Sequence, residues 1–600
     1  MLDSAPKDKW KRIGTNKRAG VLAPLFSIYS QNSLGIGDFL DLKLLIEWAH
    51  QTANSIIQLL PLNEVGPLFC PYDSLSSFAL EPMYISLKTL AAKDKSFPDK
   101  IGNLKRTFPA GKPYVDYGIK KAKISLLWEI YLQDSKLPCA EFKQFQEENT
   151  YWLNDFALFK VLKDYHQGRP WYEWEDKYKN RDGEALKVFQ KEHEREIEFQ
   201  IWVQWQLYKQ FKEIRTYAQR KKVLLKGDLP ILVSRDSADV WQHPEFFKLE
   251  YASGAPPDMY CAKGQRWGMP TYNWERISAD RYRYLKEKLR YAQNFYDILR
   301  IDHVVGLFRI WSIPYNEPLE NQGLNGFFDP KDEKEWEEHG RQILSVVVNS
   351  TDMLICAEDL GVIPKACPKI MEELGIPGND VQRWVKDWKV KHDFLKPQDY
   401  RPLSVAMLST HDTTNWPGWW ENEAGTVDEA LFMRKCADPR QINFSQLRDK
   451  LFDAKLSVRG RLRWLNSVDS VEKLASILGK RKEEINDFID LYENTYQEKE
   501  KLWKHLKLKG RMREKCDSEI VKAALRITLE SRAIFCINLF IDWLYLTDIF
   551  KGGPYQYRTN TPGTINDKNW SLAIPLSLDG LLKHKVCRVI KEMIASSGRI

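Results

Sequence analysis

Eight short apolar runs, rich in β-branched and aromatic residues, recur along this chain: 21–28, 55–62, 222–231, 298–308, 353–359, 381–387, 403–412 and 533–539. Runs of this length and composition predict buried strands. Between them, segments such as FLDLKLLIEWAHQ (39–51) and RYLKEKLRYAQNF (283–295) repeat their apolar residues with helical period. Strands alternating with helices predict βα units rather than a sandwich, and eight parallel strands close a barrel. The run at 381–387 is the weakest of the set.

Two intervals are too long to be simple connections: about 160 residues between the second and third runs and about 120 between the seventh and eighth, where loops longer than roughly 15 residues are uncommon. Lys- and Glu-rich helical stretches lie inside both, FQKEHEREIEFQIWVQWQLYKQF at 189–211 and KRKEEINDFIDLYENTYQEKEKLW at 480–503. The expectation is one α/β unit over 1–600, a (β/α)8 TIM barrel with largely helical insertions at 63–220 and 413–530 and no separate carboxyl-terminal β-sandwich. No repeat of solenoid period is present.

Composition narrows the function classes. Lys and Arg number 90 against 82 Asp and Glu, a net charge of +8 spread over 600 residues, so no phosphate-tracking surface for nucleic acid is expected. The basic runs RKKVLLK (220–226) and KHLKLKGRMREK (504–515) read as solvated faces or turns. The amino terminus, MLDSAPKDKWKRIG, lacks the apolar core of a secretory signal. The longest apolar stretch, AIFCINLFIDWLYL (533–546), is interrupted by Asn538 and Asp542 and is too short to span a bilayer. A cytoplasmic protein with no membrane partner is the expectation. Nine cysteines, scattered and without a CxxC pair, read as reduced thiols. His193 of HEREIE lacks the second histidine that a zinc helix needs.

Candidate chemistry sits at the ends of the runs. ILRIDH ends in Asp302 and His303, MLICAED carries Glu358, and AMLSTHD ends in His411 and Asp412. Taken singly, each acid is equally well a helix cap, and Arg300 with Asp302 equally well a buried ion pair. A parallel barrel, however, opens all its strand ends onto one face, where barrel enzymes build their sites. Three acids there suit glycosidic bond cleavage, which needs one ionised carboxylate and one protonated carboxylic acid. Arg300, two residues before Asp302 on the same strand face, would hold Asp302 ionised. Glu358 has no nearby cation in sequence and suits the proton donor. Flat rings cover the apolar face of a sugar, a role open to Trp267, Tyr272 and Trp274 and to Trp416, Trp419 and Trp420.

These motifs resemble, nearly end to end, the 4-alpha-glucanotransferases (amylomaltases or disproportionating enzymes, glycoside hydrolase family 77). The resemblance rests on LAPLFSIYSQNSLGIGDFLDL (22–42), QLLPLNEVGPLFCPYDSLSSFALEPMYI (58–85), KGDLPILVSRDSADVWQHPEFF (226–247), SGAPPDMYCAKGQRWGMPTYNW (253–274), RIDHVVGLFRIWSIP, AEDLGVIP, LSTHD and NTPGTINDKNW (560–570). It implies Asp302 as nucleophile, Glu358 as general acid/base and Asp412 as the third carboxylate. Arg300 and His411 are implied as sugar-binding partners, with Tyr72 stacking under the sugar and Asp228 beside it; His303, which adjoins Asp302, is by its position either a sugar-hydroxyl binder or a packed histidine. Asp258, Gln265 and Trp267 are implied on the loop that covers the glucan. The activity implied is transfer of α-1,4-glucan segments between maltooligosaccharides, glucose or longer glucans by retaining double displacement, with no cofactor and no metal. An α-glucan hydrolase of the amylase-like group is the alternative, and a catalytically silent glucan-binding protein the more distant one. Val304, Val305, Cys70, Glu81, Thr413 and Thr414 depart from the usual family pattern.

Overall fold

The computed structural model describes residues 4–599 apart from 5, 91–95, 135–136, 258–260, 262 and 438–441. Eight strands form one sheet: β1 (Arg18–Leu22), β2 (Ile56–Gln58), β3 (Leu224–Leu229), β4 (Ile298–Ile301), β5 (Leu354–Ala357), β6 (Gly378–Val381), β7 (Ser404–Met407) and β8 (Phe535–Leu539). They follow one another around the sheet in the order β5-β4-β3-β2-β1-β8-β7-β6, and every ladder is parallel. All residues of β2, β4, β5 and β8 are buried. Helices outside and packed side chains inside leave neither face of a parallel barrel to water.

The barrel closes where β5 meets β6, and no ladder joins that pair among the described residues. The join is made instead by the Ala357 amide on the Pro377 carbonyl (2.9 Å) and by Asp359, which accepts from the Asn379 amide at 2.7 Å. Arg401 then clasps both sides, its Nη1 2.6 Å from Asp359 Oδ2 and its Nε donating to Asp380 Oδ1 at 2.8 Å. Gly378 is required here, because a Cβ would stand 2.4 Å from Asp359 Oδ2.

The sixth strand lies earlier than the apolar pattern predicts, at 378–381 rather than 381–387; residues 382–384 form a 3-10 turn. Asn379 and Asp380 are buried strand residues; Arg401 and the Ser404 hydroxyl (2.9 Å) satisfy the Asp380 carboxylate and Arg401 takes the Asn379 carbonyl, so hydrophobicity alone does not mark this strand. The run at 298–308 likewise leaves the sheet after Ile301, and Val304–Leu307 form a buried 3-10 turn.

The helix at Phe39–Gln51 begins on Asp38, whose carboxylate accepts the Leu40 and Asp41 amides while Asp41 returns the contact as a capping box. A second amphipathic helix runs over Arg283–Ala292. Between β2 and β3 stand helices that include Gly118–Gln133, Leu153–Tyr165 and the 27-residue Glu194–Arg220. Between β7 and β8 a region spanning 427–492 packs around its own apolar core of Phe432, Trp464, Phe488 and Tyr492, distinct from the main core.

Candidate active site

Strand register sets the site. Asp228 of β3 pairs with Arg300 of β4, and Ile301 of β4 pairs with Ala357 of β5. The next residues, Asp302 and Glu358, therefore leave neighbouring strands at the same level. Arg300 Nη1 bonds both Asp228 oxygens (2.6 and 2.7 Å) and lies 2.9 Å from Asp302 Oδ1. The Tyr72 hydroxyl donates to Asp228 Oδ2 at 2.8 Å. Asp228 has no solvent exposure, whereas Asp302 keeps 23% of its side chain open.

Arg300 is shared with Asp228, and its pull on Asp302 does not offset burial. Burial pushes the Asp302 pKa up to about 6; Arg300 opposes this, and the charge of Asp228 reinforces it. The Arg300–Asp302 pair expected from the sequence is present, with Asp228 as a third member.

Glu358 is aimed by the backbone. The His303 amide donates to its Oε2 (2.8 Å) and the Leu360 amide to its Oε1 (3.0 Å). His303 adopts φ 42°, a left-handed conformation uncommon for a non-glycine residue, which places its N–H at that carboxylate. Burial lifts Glu358 to about 7, with Arg300 opposing and Asp302 and Asp359 adding to the rise. Burial and the charges of Arg309 and Arg300 push His303 down to about 4, leaving a neutral ring.

Asp412 lies five residues beyond the end of β7. Burial works to raise its pKa, but His411 at 3.1 Å and the Asn560 amide donating at 2.7 Å bring it down to about 2. Burial lowers His411 in turn, yet Asp412 more than compensates and its pKa is raised. The rings of Tyr72 and His411 stack with centroids 5.1 Å apart, and Trp570 tilts against both. On the opposite side Trp267 stands edge-on to His303 at 4.9 Å and donates its indole N–H to Gln265 Oε1 (3.0 Å). A short four-stranded sheet built from 251–255, 265–266, 310–314 and 327–329 carries that loop.

The structure thus gathers Asp302, Glu358, Asp412, Tyr72, Asp228, Gln265, Trp267, Arg300, His303 and His411 into one connected set of contacts. Asp258 lies outside the described residues. Three of the other aromatic candidates, Tyr272, Trp416 and Trp420, are structural. Tyr272 is buried with its hydroxyl taken by Lys288, and Trp416 and Trp420 are fully buried, their indole N–H groups on Gln382 and the Arg513 carbonyl.

Asn560 and Trp570 were missed as site residues, although both stand in the NTPGTINDKNW motif. Glu81 and its partner Lys120 were missed as supports of the Tyr72 loop. Glu81 is fully buried, accepts the Val65 amide (2.9 Å) and meets Lys120 at 2.8 Å; Lys120 also reaches Glu64 at 3.6 Å, and Lys160 meets Glu64 at 2.7 Å. Val304 donates its amide to the Glu358 carbonyl (3.0 Å) and is otherwise buried apolar filling. Among the described residues no group of three or more His, Cys, Asp or Glu side chains is placed to hold a metal ion.

Comparison with known proteins places this arrangement in a family. The family model described as 4-alpha-glucanotransferase matches residues 23–577. The 4-alpha-glucanotransferase of Chlamydia pneumoniae is 34% identical over 582 residues, covering 96% of this chain and 95% of that protein. That of Thermus thermophilus is 31% identical over 393 residues, 63% of this chain and 74% of that protein. Among solved structures, the amylomaltase of Streptococcus agalactiae in complex with acarbose superposes with TM-score 0.70 at 22% identity, covering 97% of this chain and 99% of that one. The amylomaltase of Corynebacterium glutamicum gives TM-score 0.71 at 19% identity over 98% of this chain and 76% of that one. The chain, with its (β/α)8 barrel and its acid-lined strand ends, belongs to the 4-alpha-glucanotransferase family, glycoside hydrolase family 77.

Proposed function

We propose that this family member transfers α-1,4-glucan segments between maltooligosaccharides by double displacement. Asp302 attacks the anomeric carbon while Glu358 protonates the departing glycosyl oxygen, giving a covalent glucosyl-enzyme. Glu358, now ionised, takes the proton of an acceptor 4-hydroxyl, and the acceptor displaces Asp302. Two inversions retain the α configuration. Arg300, Asp228, Tyr72, His411 and Asp412 bind and orient the reacting sugar, and Trp267 with Gln265 lines the covering loop. The ionised Asp412 accepts sugar hydroxyls and favours the positive charge that develops at the ring.

The observation that carries this reading is the register of Asp302 and Glu358. Ile301 and Ala357 pair across neighbouring parallel strands, so the next residues, Asp302 and Glu358, leave the barrel side by side at one rim, the placement that a retaining carboxyl pair needs. Burial raises both carboxyls, which suits an acid pair in which one member carries the proton. Asp258 completes the acceptor loop in this proposal. No membrane attachment is invoked, since no described helix is long and apolar enough to cross a bilayer, and free thiols throughout suit a cytoplasmic setting.

Incubation with maltotriose tests the proposal. A transferase yields free glucose together with a ladder of longer maltooligosaccharides; products that are only shorter than the donor would refute it in favour of hydrolysis.

A further inference from the structure

Away from the acids, the segment between β7 and β8 folds against the turn after β6 and borders a cavity of about 230 Å³. Trp384, Trp388 and Trp419 supply indoles to its wall, and residues of the 427–492 region supply most of the opposite side. None of Asp302, Glu358 or Asp412 borders it. The cavity lies between the main core and the separate core of that region, the kind of junction where small-molecule sites form.

Charge selects the class of ligand. Lys386 pairs with Glu498, Lys435 with Asp487 at 2.7 Å and Arg461 with Asp428 at 3.7 Å, so lining cations and carboxylates largely neutralise one another. Such a lining offers no strong field to an ion, yet it is dense in groups that hydrogen-bond hydroxyls. Indoles beside such groups match a pyranose ring, which has an apolar C–H face and a polar edge. The volume of about 230 Å³ falls below the roughly 300–1,000 Å³ of sites for drug-sized ligands, and suits the end of a glucan chain.

One side chain links the cavity to the acids. Arg383 borders it with its guanidinium 5.1 Å from the centre of the Trp419 ring. The same guanidinium donates to Ser409 Oγ (2.7 Å) and to the Thr414 carbonyl (2.8 Å), on either side of His411 and Asp412.

We infer that this cavity is a second glucan-binding site, taking one or two glucosyl units of a neutral α-1,4-linked chain apart from the reacting sugar. The inference rests on the glucan-transfer reading above. Calorimetric titration of the full-length Asp302→Asn protein with maltotriose tests it. Two binding sites per chain are expected, and adding Trp388→Ala or Asp490→Ala should remove one of them or weaken it at least tenfold while the other persists. Asp490 is exposed, so its variant folds even where Trp388→Ala does not. A single site in Asp302→Asn, or two sites left unchanged by Asp490→Ala, would overturn the second site while maltotriose conversion by the wild type keeps the transfer reading. A wild-type protein inert toward maltotriose would remove both.

Discussion

Asp302 and Glu358 share one guanidinium and one water-poor rim, and burial raises both, to about 6 and about 7, with neighbouring carboxylates adding to each rise. Turnover needs Asp302 ionised and Glu358 protonated. Activity should therefore rise with pH through about 6 and fall through about 7, giving a narrow bell in kcat/KM against pH. A flat profile between pH 5 and 8 would contradict the assignment of the two acids. Asp302→Asn should lower kcat by at least about 10⁴-fold, leaving maltotriose binding in place, because it replaces the nucleophilic carboxylate by a neutral amide of the same shape. The acids were legible in the sequence because each stands just past an apolar run. Arg300's division between Asp228 and Asp302 was not, since only the barrel brings Asp228 from some seventy residues away; nor was the Asn560 contact, 148 positions from Asp412.

At the scale of elements, Tyr72 owes its place to a loop held by buried ion pairs. Glu81 and Glu64, both nearly without solvent contact, are shared between Lys120 and Lys160 of two helices in the 63–220 interval. Lys120→Met should cost about 3–5 kcal/mol, because it strands a buried carboxylate. Thermal melts should show the loss, and adding Glu81→Gln should recover part of it. The helix at 39–51 could be read from the sequence because period, cap and capping box all agree. The sixth strand could not, because it buries polar Asn379 and Asp380, and the partner of the Asp380 carboxylate, Arg401, comes from the following loop.

For the whole molecule, two large cores imply two levels of opening. The 427–492 region, with its own cluster around Phe432 and Trp464, should exchange amide hydrogens by local unfolding at lower free energy than β2 to β4 of the barrel. Hydrogen exchange read by mass spectrometry checks this, and uniform protection of the two would refute it.

The join between β5 and β6 leaves a further mark. A closed ring of strands is no tougher than its thinnest stitch, and this one is sewn chiefly by side chains, next door to the carboxyl that must give up a proton and take it back. Warming should unpick it before the remaining staves part, so catalysis should fade several degrees below the point at which circular dichroism reports collapse.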